Sequence, residues 1–176
     1  MYNPIMFPEM LKVFAMFKDY QFVIAGAPAL ELQVYEQYMG ENKVRVLFGK
    51  TYQILNFAQA GIITSGTATL ETALFNVPQV VCYKTGGFAY WLGRKIVNFT
   101  YASLVNLILN RPVLKELLQN DMNAELIAKE LRPLLTETPE RKKMLEEYET
   151  TRKILGGAGV SERIAKKLYA YLTSKK

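Results

Sequence analysis

Between residues 6 and 83, short continuous apolar runs alternate with segments of helical periodicity, and this alternation constrains the fold more than any other feature. Phe22-Val-Ile-Ala25, Val44-Arg-Val-Leu-Phe48, Ile62-Ile63-Thr64 and Val80-Val81-Cys82-Tyr83 read as strands, the first two closed by Gly26 and Gly49. Helices are expected over residues 6–18, 28–39, 51–59 and 67–75. Met6, Met10, Phe14 and Phe17 fall on one face of the first, and Pro28 sits in the first turn of the second. Strands and helices alternating at this pitch predict an α/β domain whose parallel sheet is covered on both faces. No strand precedes the first helix, although a doubly wound domain opens with one, so the sequence is read as starting part-way into a larger protein. After Gly86-Gly87 the pattern changes. Residues 88–99 carry Phe88, Trp91, Leu92, Lys95 and Ile96 at helical spacing, and residues 101–110 read as loop and short helix. From Val113 onward everything reads as helix, with breaks near Asp121, Pro139 and the loop Gly156-Gly-Ala-Gly159.

Composition removes several classes of chemistry. The 176 residues contain no histidine, so acid–base work falls to Asp, Glu, Lys or Tyr. Cys82 is the only cysteine, which excludes an intramolecular disulfide and a cysteine-based zinc site; no metal is expected. The net charge of +6 suits phosphorylated ligands, an anionic membrane surface or nucleic acid. There is no dense Lys/Arg block and no RNP-like aromatic pattern, so nucleic acid is not the expected partner. No apolar run reaches the roughly 18–20 residues of a membrane span. The N-terminus also lacks a basic n-region and a cleavage site, and a cytoplasmic location is expected.

The candidate site is Ser65-Gly-Thr-Ala-Thr-Leu-Glu71. It follows a strand and opens a helix, which places it at the carboxyl end of a sheet, where open α/β sheets bind ligands. A helix N-terminus offers unpaired N–H groups and the positive end of a dipole. Gly66 lets the backbone approach a phosphate, and Ser65 and Thr67 add hydroxyl donors. Glu71 lies four residues beyond Thr67, ~6 Å along the axis, within reach of ribose hydroxyls beside a diphosphate. A well-capped structural helix is the plain alternative. A capping box would need Glu three residues after the cap, where Ala68 and Leu70 stand.

These residues, followed by Val77-Pro78-Gln-Val-Val81, Tyr83-Lys84, Tyr90-Trp91-Leu92, Ser103-Leu-Val-Asn106-Leu107 and Glu116-Leu117-Leu118-Gln119, resemble the lipid A disaccharide synthase family in order and spacing. The resemblance implies a Rossmann-like doubly wound parallel sheet, the second domain of a GT-B glycosyltransferase, with a helical C-terminal tail. Residues 1–155 would form an incomplete nucleotide-sugar-binding domain, and residues 156–176 a crossing helix. The implied reaction moves a glycosyl group from UDP-2,3-diacylglucosamine to 2,3-diacylglucosamine 1-phosphate, with UDP-sugar as substrate and no cofactor. Ser65, Gly66 and Thr67 would contact the diphosphate and Glu71 the ribose, with Asn106 near the donor. Tyr83 and Cys82 could wall a uracil pocket, although Cys82 suits an inert core position better.

The family's acceptor-side domain, its proposed aspartate base and the interdomain Pro-Gly-Ser-Arg segment are not in the sequence, and Val105 stands where the family usually has proline. The chain is therefore expected to bind the donor without turning it over. The catalytic residue is unknown and expected in the missing N-terminal domain. A stand-alone UDP-sugar-binding subunit of a split glycosyltransferase is the alternative. A UDP-sugar epimerase and a dehydrogenase are disfavoured by the absence of histidine and of G-x-G-x-x-G respectively.

Substrates of this kind imply a peripheral position on the inner-membrane surface. Phe88, Tyr90, Trp91, Arg94, Lys95 and Phe99 could touch membrane or acyl chains, with a helix packed on its own sheet as the favoured alternative. Residues 137–153 read as a solvated helix with i,i+4 pairs. Val160, Ile164, Leu168 and Leu172 form one stripe on the last helix. Left uncovered, that stripe would favour association into a homo-oligomer.

Overall fold

The computed structural model describes residues 5–40, 44–64, 66–85, 101–157 and 159–174. Ser65, Gly86, Gly87 and the aromatic segment 88–99 lie outside them.

Strands β1 (Val23–Gly26) and β2 (Arg45–Phe48) pair in parallel, with Val23 beside Arg45 and Gly26 beside Phe48. Strands β3 (Gly61–Thr64), β4 (Gln79–Tyr83) and β5 (Glu116–Leu118) form a second parallel ladder in the order β3-β4-β5. The alternating α/β reading of the first 83 residues therefore holds, with one refinement. Among the described residues the strands form two ladders rather than one continuous sheet.

Helices α1 (Phe7–Phe14), α2 (Leu32–Met39), α3 (Thr51–Phe57) and α4 (Thr67–Leu74) separate the first four strands. Pro28 does not start α2. It lies in a turn in which Leu30 N–H donates to Ala27 O at 3.0 Å, and Glu31 becomes the N-cap. Gly26 sits at the carboxyl end of β1 because the Phe48 ring lies against it. An added Cβ would come within 2.5 Å of that ring.

The region beyond Val113 departs from the expected run of helices. Glu116–Leu118 is a strand, held by β4 with Cys82 beside Leu117. Three residues of good helix formers carry no strand periodicity, and pairing with a buried neighbour overrides local preference. Helix α5 (Leu104–Leu109) precedes the strand, and α6 (Ala124–Leu131), α7 (Pro139–Leu155) and α8 (Val160–Thr173) follow it. Side chains cap three of the starts. Ser103, Asn123 and Thr138 accept from the backbone N–H of Asn106, Leu126 and Arg141 respectively.

The main core joins α1, β4, α6 and α7 through Met6, Val13, Val80, Val81, Ile127, Leu131 and Tyr148. A smaller cluster joins Phe7 and Leu11 of α1 to Tyr35 and Met39 of α2, with Ile24 and Val46 packed against it. The charged run 137–153 is not wholly solvated, since Met144, Tyr148 and Thr151 are buried along one side of α7. Tyr148 reaches Val77 O at 3.2 Å and accepts from Gln79 Nε2 at 3.2 Å. Every described residue of α8 is exposed, including Ile164, Leu168 and Leu172. No described helix is long and apolar enough to cross a membrane.

Candidate functional site

Strand β3 ends at Thr64, level with Cys82 of β4, so the start of α4 and Tyr83 emerge at the same edge of the sheet. Gly66 takes φ +106 and ψ −152, a region that residues with a Cβ rarely enter. No atom lies within 4 Å of where its Cβ would be, so backbone conformation and not crowding calls for glycine there. Among the described residues no side chain caps α4, and Thr67 and Ala68 in its first turn are exposed. Thr69 N–H in that turn donates to Gly66 O at 3.1 Å, so the positive end of the dipole is left with the exposed Thr67 and Ala68, an arrangement suited to an anion. Ser65, placed at this end by the sequence, lies outside the described residues.

Thr69 fixes the end from behind. Its hydroxyl donates to Gly66 O at 2.8 Å and accepts from Leu104 N at 3.2 Å, tying α4 to α5. Gly66 and Ser103 also form a parallel bridge, so the two helices start side by side.

Asn106 is 1% exposed and serves this join rather than facing outward. Its Nδ2 donates to Leu114 O at 2.9 Å and Glu116 Oε1 at 2.8 Å. Its Oδ1 accepts from Val113 N at 2.9 Å and Leu114 N at 2.8 Å. Both donors and both acceptor positions of the amide are occupied within the chain. Glu116, quoted in the sequence only within a stretch of family resemblance and given no role there, receives Ala102 N at 2.8 Å, Ser103 N at 2.9 Å and Ser103 Oγ at 2.8 Å. A carboxylate on a three-residue strand leaves no local pattern from which this role could be read.

Glu71 lies one turn into α4, half-buried, and accepts from the Tyr52 hydroxyl at 3.2 Å. Tyr52 stacks on Phe75 with ring centroids 5.3 Å apart and an interplanar angle of 15°. The Glu71 hydrogen bond and charge hold the Tyr52 phenol above its ordinary range. Tyr52 also escaped the sequence reading, because it stands 19 residues from its partner on another helix. Tyr83 is 37% exposed at the end of β4, while Cys82 is fully buried and its thiol is pushed up to about 12 by desolvation. Gly66 and Thr67 therefore follow the carboxyl end of β3 and Tyr83 ends the neighbouring β4, while Glu71 lies one turn back along α4 against Tyr52 and Asn106 is buried behind the start of α5. A groove of about 410 Å³ lies elsewhere, against α2 and β2, lined by Leu32, Glu36, Met39 and Arg45. It includes none of these residues.

A family model described as lipid-A-disaccharide synthetase matches residues 5–169. Among curated relatives, a lipid-A-disaccharide synthase of Syntrophus aciditrophicus is 39% identical over 122 residues, covering 69% of this chain and 32% of the relative. One from Anaeromyxobacter sp. (strain K) is 33% identical over 153 residues, covering 85% of this chain and 40% of the relative. One from Gloeothece citriformis is 37% identical over 129 residues, covering 72% and 34%. The chain thus spans well under half the length of the curated relatives it matches.

Proposed function

The chain belongs to the lipid-A-disaccharide synthetase family, and on that premise we propose that it carries the donor-nucleotide site of a glycosyl transfer in lipid A biosynthesis. The donor is UDP-2,3-diacylglucosamine and the acceptor 2,3-diacylglucosamine 1-phosphate. The domain corresponds to the second, Rossmann-like domain of a GT-B enzyme. The observation that carries the reading is the uncapped start of α4 at the carboxyl end of β3, with Glu71 one turn inside it.

In this reading the diphosphate meets the first-turn N–H groups of α4, with Ser65 and Thr67 adding hydroxyl donors and Gly66 admitting the close approach. Glu71 accepts from ribose hydroxyls, and Tyr52 holds its carboxylate in place. Tyr83 borders the base. Asn106 acts from behind, through the join between α4 and α5. When the acceptor hydroxyl attacks the anomeric carbon, the glycosidic C–O bond to the diphosphate breaks and UDP leaves carrying the negative charge. Donors already fixed at that position stabilise the developing charge without reorganising. No cofactor takes part. We assign the general base to the portion of the family's length that this chain does not span. Because both substrates carry acyl chains, the protein would work peripherally at the inner-membrane surface.

Calorimetric titration of the chain with UDP tests the assignment. Glu71→Ala should weaken UDP binding by about 1–3 kcal/mol, roughly 5- to 150-fold. Tyr52→Phe should cost less, about 0.5–1 kcal/mol, since it removes one hydrogen bond to a carboxylate that can relax. Unchanged UDP affinity in Glu71→Ala would overturn the ribose contact.

A further inference from the structure

Among the described residues α4 begins uncapped, while α5, whose start lies beside it, is capped twice. Ser103 closes α5 from within, accepting from Asn106 N at 3.3 Å. In a capping box, the residue three beyond the cap returns an acceptor to the cap's own N–H. Asn106 holds that position, but its amide oxygen is turned to Val113 N and Leu114 N. Glu116, on β5, does that work from outside the helix. Its Oε1 accepts from Ser103 N at 2.9 Å, Ser103 Oγ at 2.8 Å and Asn106 Nδ2 at 2.8 Å, and its Oε2 from Ala102 N at 2.8 Å.

Residues 102–104 reach both ways. The N–H groups of Ala102 and Ser103 meet the Glu116 carboxylate, and the next one, of Leu104, donates to Thr69 Oγ1 of α4 at 3.2 Å. Thr69 in turn donates twice to Gly66 O, from its N–H at 3.1 Å and from its hydroxyl at 2.8 Å. Gly66 also bridges Ser103 directly. A path of hydrogen bonds thus runs from β5 through Glu116 and residues 102–104 to Gly66. Strand β5 is itself held by β4, which is buried from Gln79 to Cys82. A carboxylate has no hydrogen to donate to a phosphate, so Glu116 acts on that end of α4 only through the segment it holds.

We infer that Glu116 is a positioning residue for the diphosphate: it closes α5 and, through Ser103 and Leu104, fixes Gly66 where α4 begins. With the positive end of α5 met by a carboxylate of the same chain, an incoming anion is left with α4 alone. Removing that carboxylate frees Ala102 and Ser103, loosens the bridge to Gly66 and lets the first turn of α4 shift. The inference rests on the nucleotide reading of α4 and adds to it a residue that the ligand never touches.

Affinities of the whole chain for UDP and for uridine, read by NMR titration of the unaltered protein, Glu116→Ala and Glu116→Gln, test it. Partial unfolding lowers both affinities by one factor and leaves their ratio in place. A displaced α4 start takes donors from the diphosphate alone, and so moves the ratio. The preference for UDP over uridine should fall about 10-fold in Glu116→Ala, the worth of one hydrogen bond to a charged group. Glu116→Gln keeps an oxygen for Ser103 and Asn106 and should lower it about 3-fold. An unchanged preference in Glu116→Ala, or in Glu116→Gln where only that variant folds, would overturn the inference and leave Glu116 as a cap of α5. A raised preference would overturn it as well, because the carboxylate would then be repelling the ligand. If the unaltered chain itself holds UDP no better than uridine, the nucleotide reading fails and the inference falls with it.

Discussion

Asn106 shows how one buried amide can tie a helix to the segment that follows it. Asn106→Ala would remove the side-chain partners of Leu114 N and Leu114 O, while Val113 N would keep Arg111 O at 3.0 Å. The expected loss is roughly 2–4 kcal/mol of unfolding free energy, read from urea titrations. A loss below about 1 kcal/mol would mean that water replaces the amide.

Glu9 makes a second case at this scale. Its carboxyl is held below its ordinary value of 4.5 by the Lys12 hydrogen bond first, with Ala124 N–H and the Lys12 and Lys84 charges helping against burial. A depressed carboxylate contributes stability that is present above 4.5 and lost as pH falls through its folded value. Glu9→Gln should therefore flatten the decline in stability between about pH 5 and pH 3, measured by urea unfolding across that range.

The helix that Gly66 opens and the place of Glu71 one turn inside it were legible from sequence, because both belong to one local segment. Tyr52 and Glu116 were not, since each acquires its partner only when distant segments meet.

At the scale of elements, strands β1 to β4 were legible because parallel strands bury continuous apolar runs. Strand β5 was hidden by a helix-favouring sequence that pairing with β4 overrides. Helix α7 was misjudged for a related reason: Met144 and Tyr148 are spaced by four within a charged run, and so form a narrow buried stripe.

Helix α8 has an apolar stripe and contributes no residue to either core cluster. Removing residues 156–176 should change the unfolding free energy by less than about 1 kcal/mol. Sedimentation should also show less self-association in the truncated chain if Ile164, Leu168 and Leu172 are its adhesive surface. A larger loss of stability would place α8 in the folded core.

For the molecule as a whole, the α/β architecture and parallel pairing could be read from alternation alone. The division into two ladders could not, because local periodicity says which segments are strands and nothing about which neighbours they find. Gly66 and Thr67 follow the carboxyl end of β3, and Tyr83 ends β4 beside it.

In the proposed function the start of α4 receives a nucleotide diphosphate. Two-dimensional 15N–1H NMR during titration with UDP, and separately with uridine, tests it most directly. UDP should move the amide signals of Gly66, Thr67, Ala68 and Glu71 saturably, and uridine should leave those of Gly66, Thr67 and Ala68 in place. Shifts that never saturate at these amides, or that centre on Leu32, Glu36 and Arg45 in the groove beside β2, would contradict it.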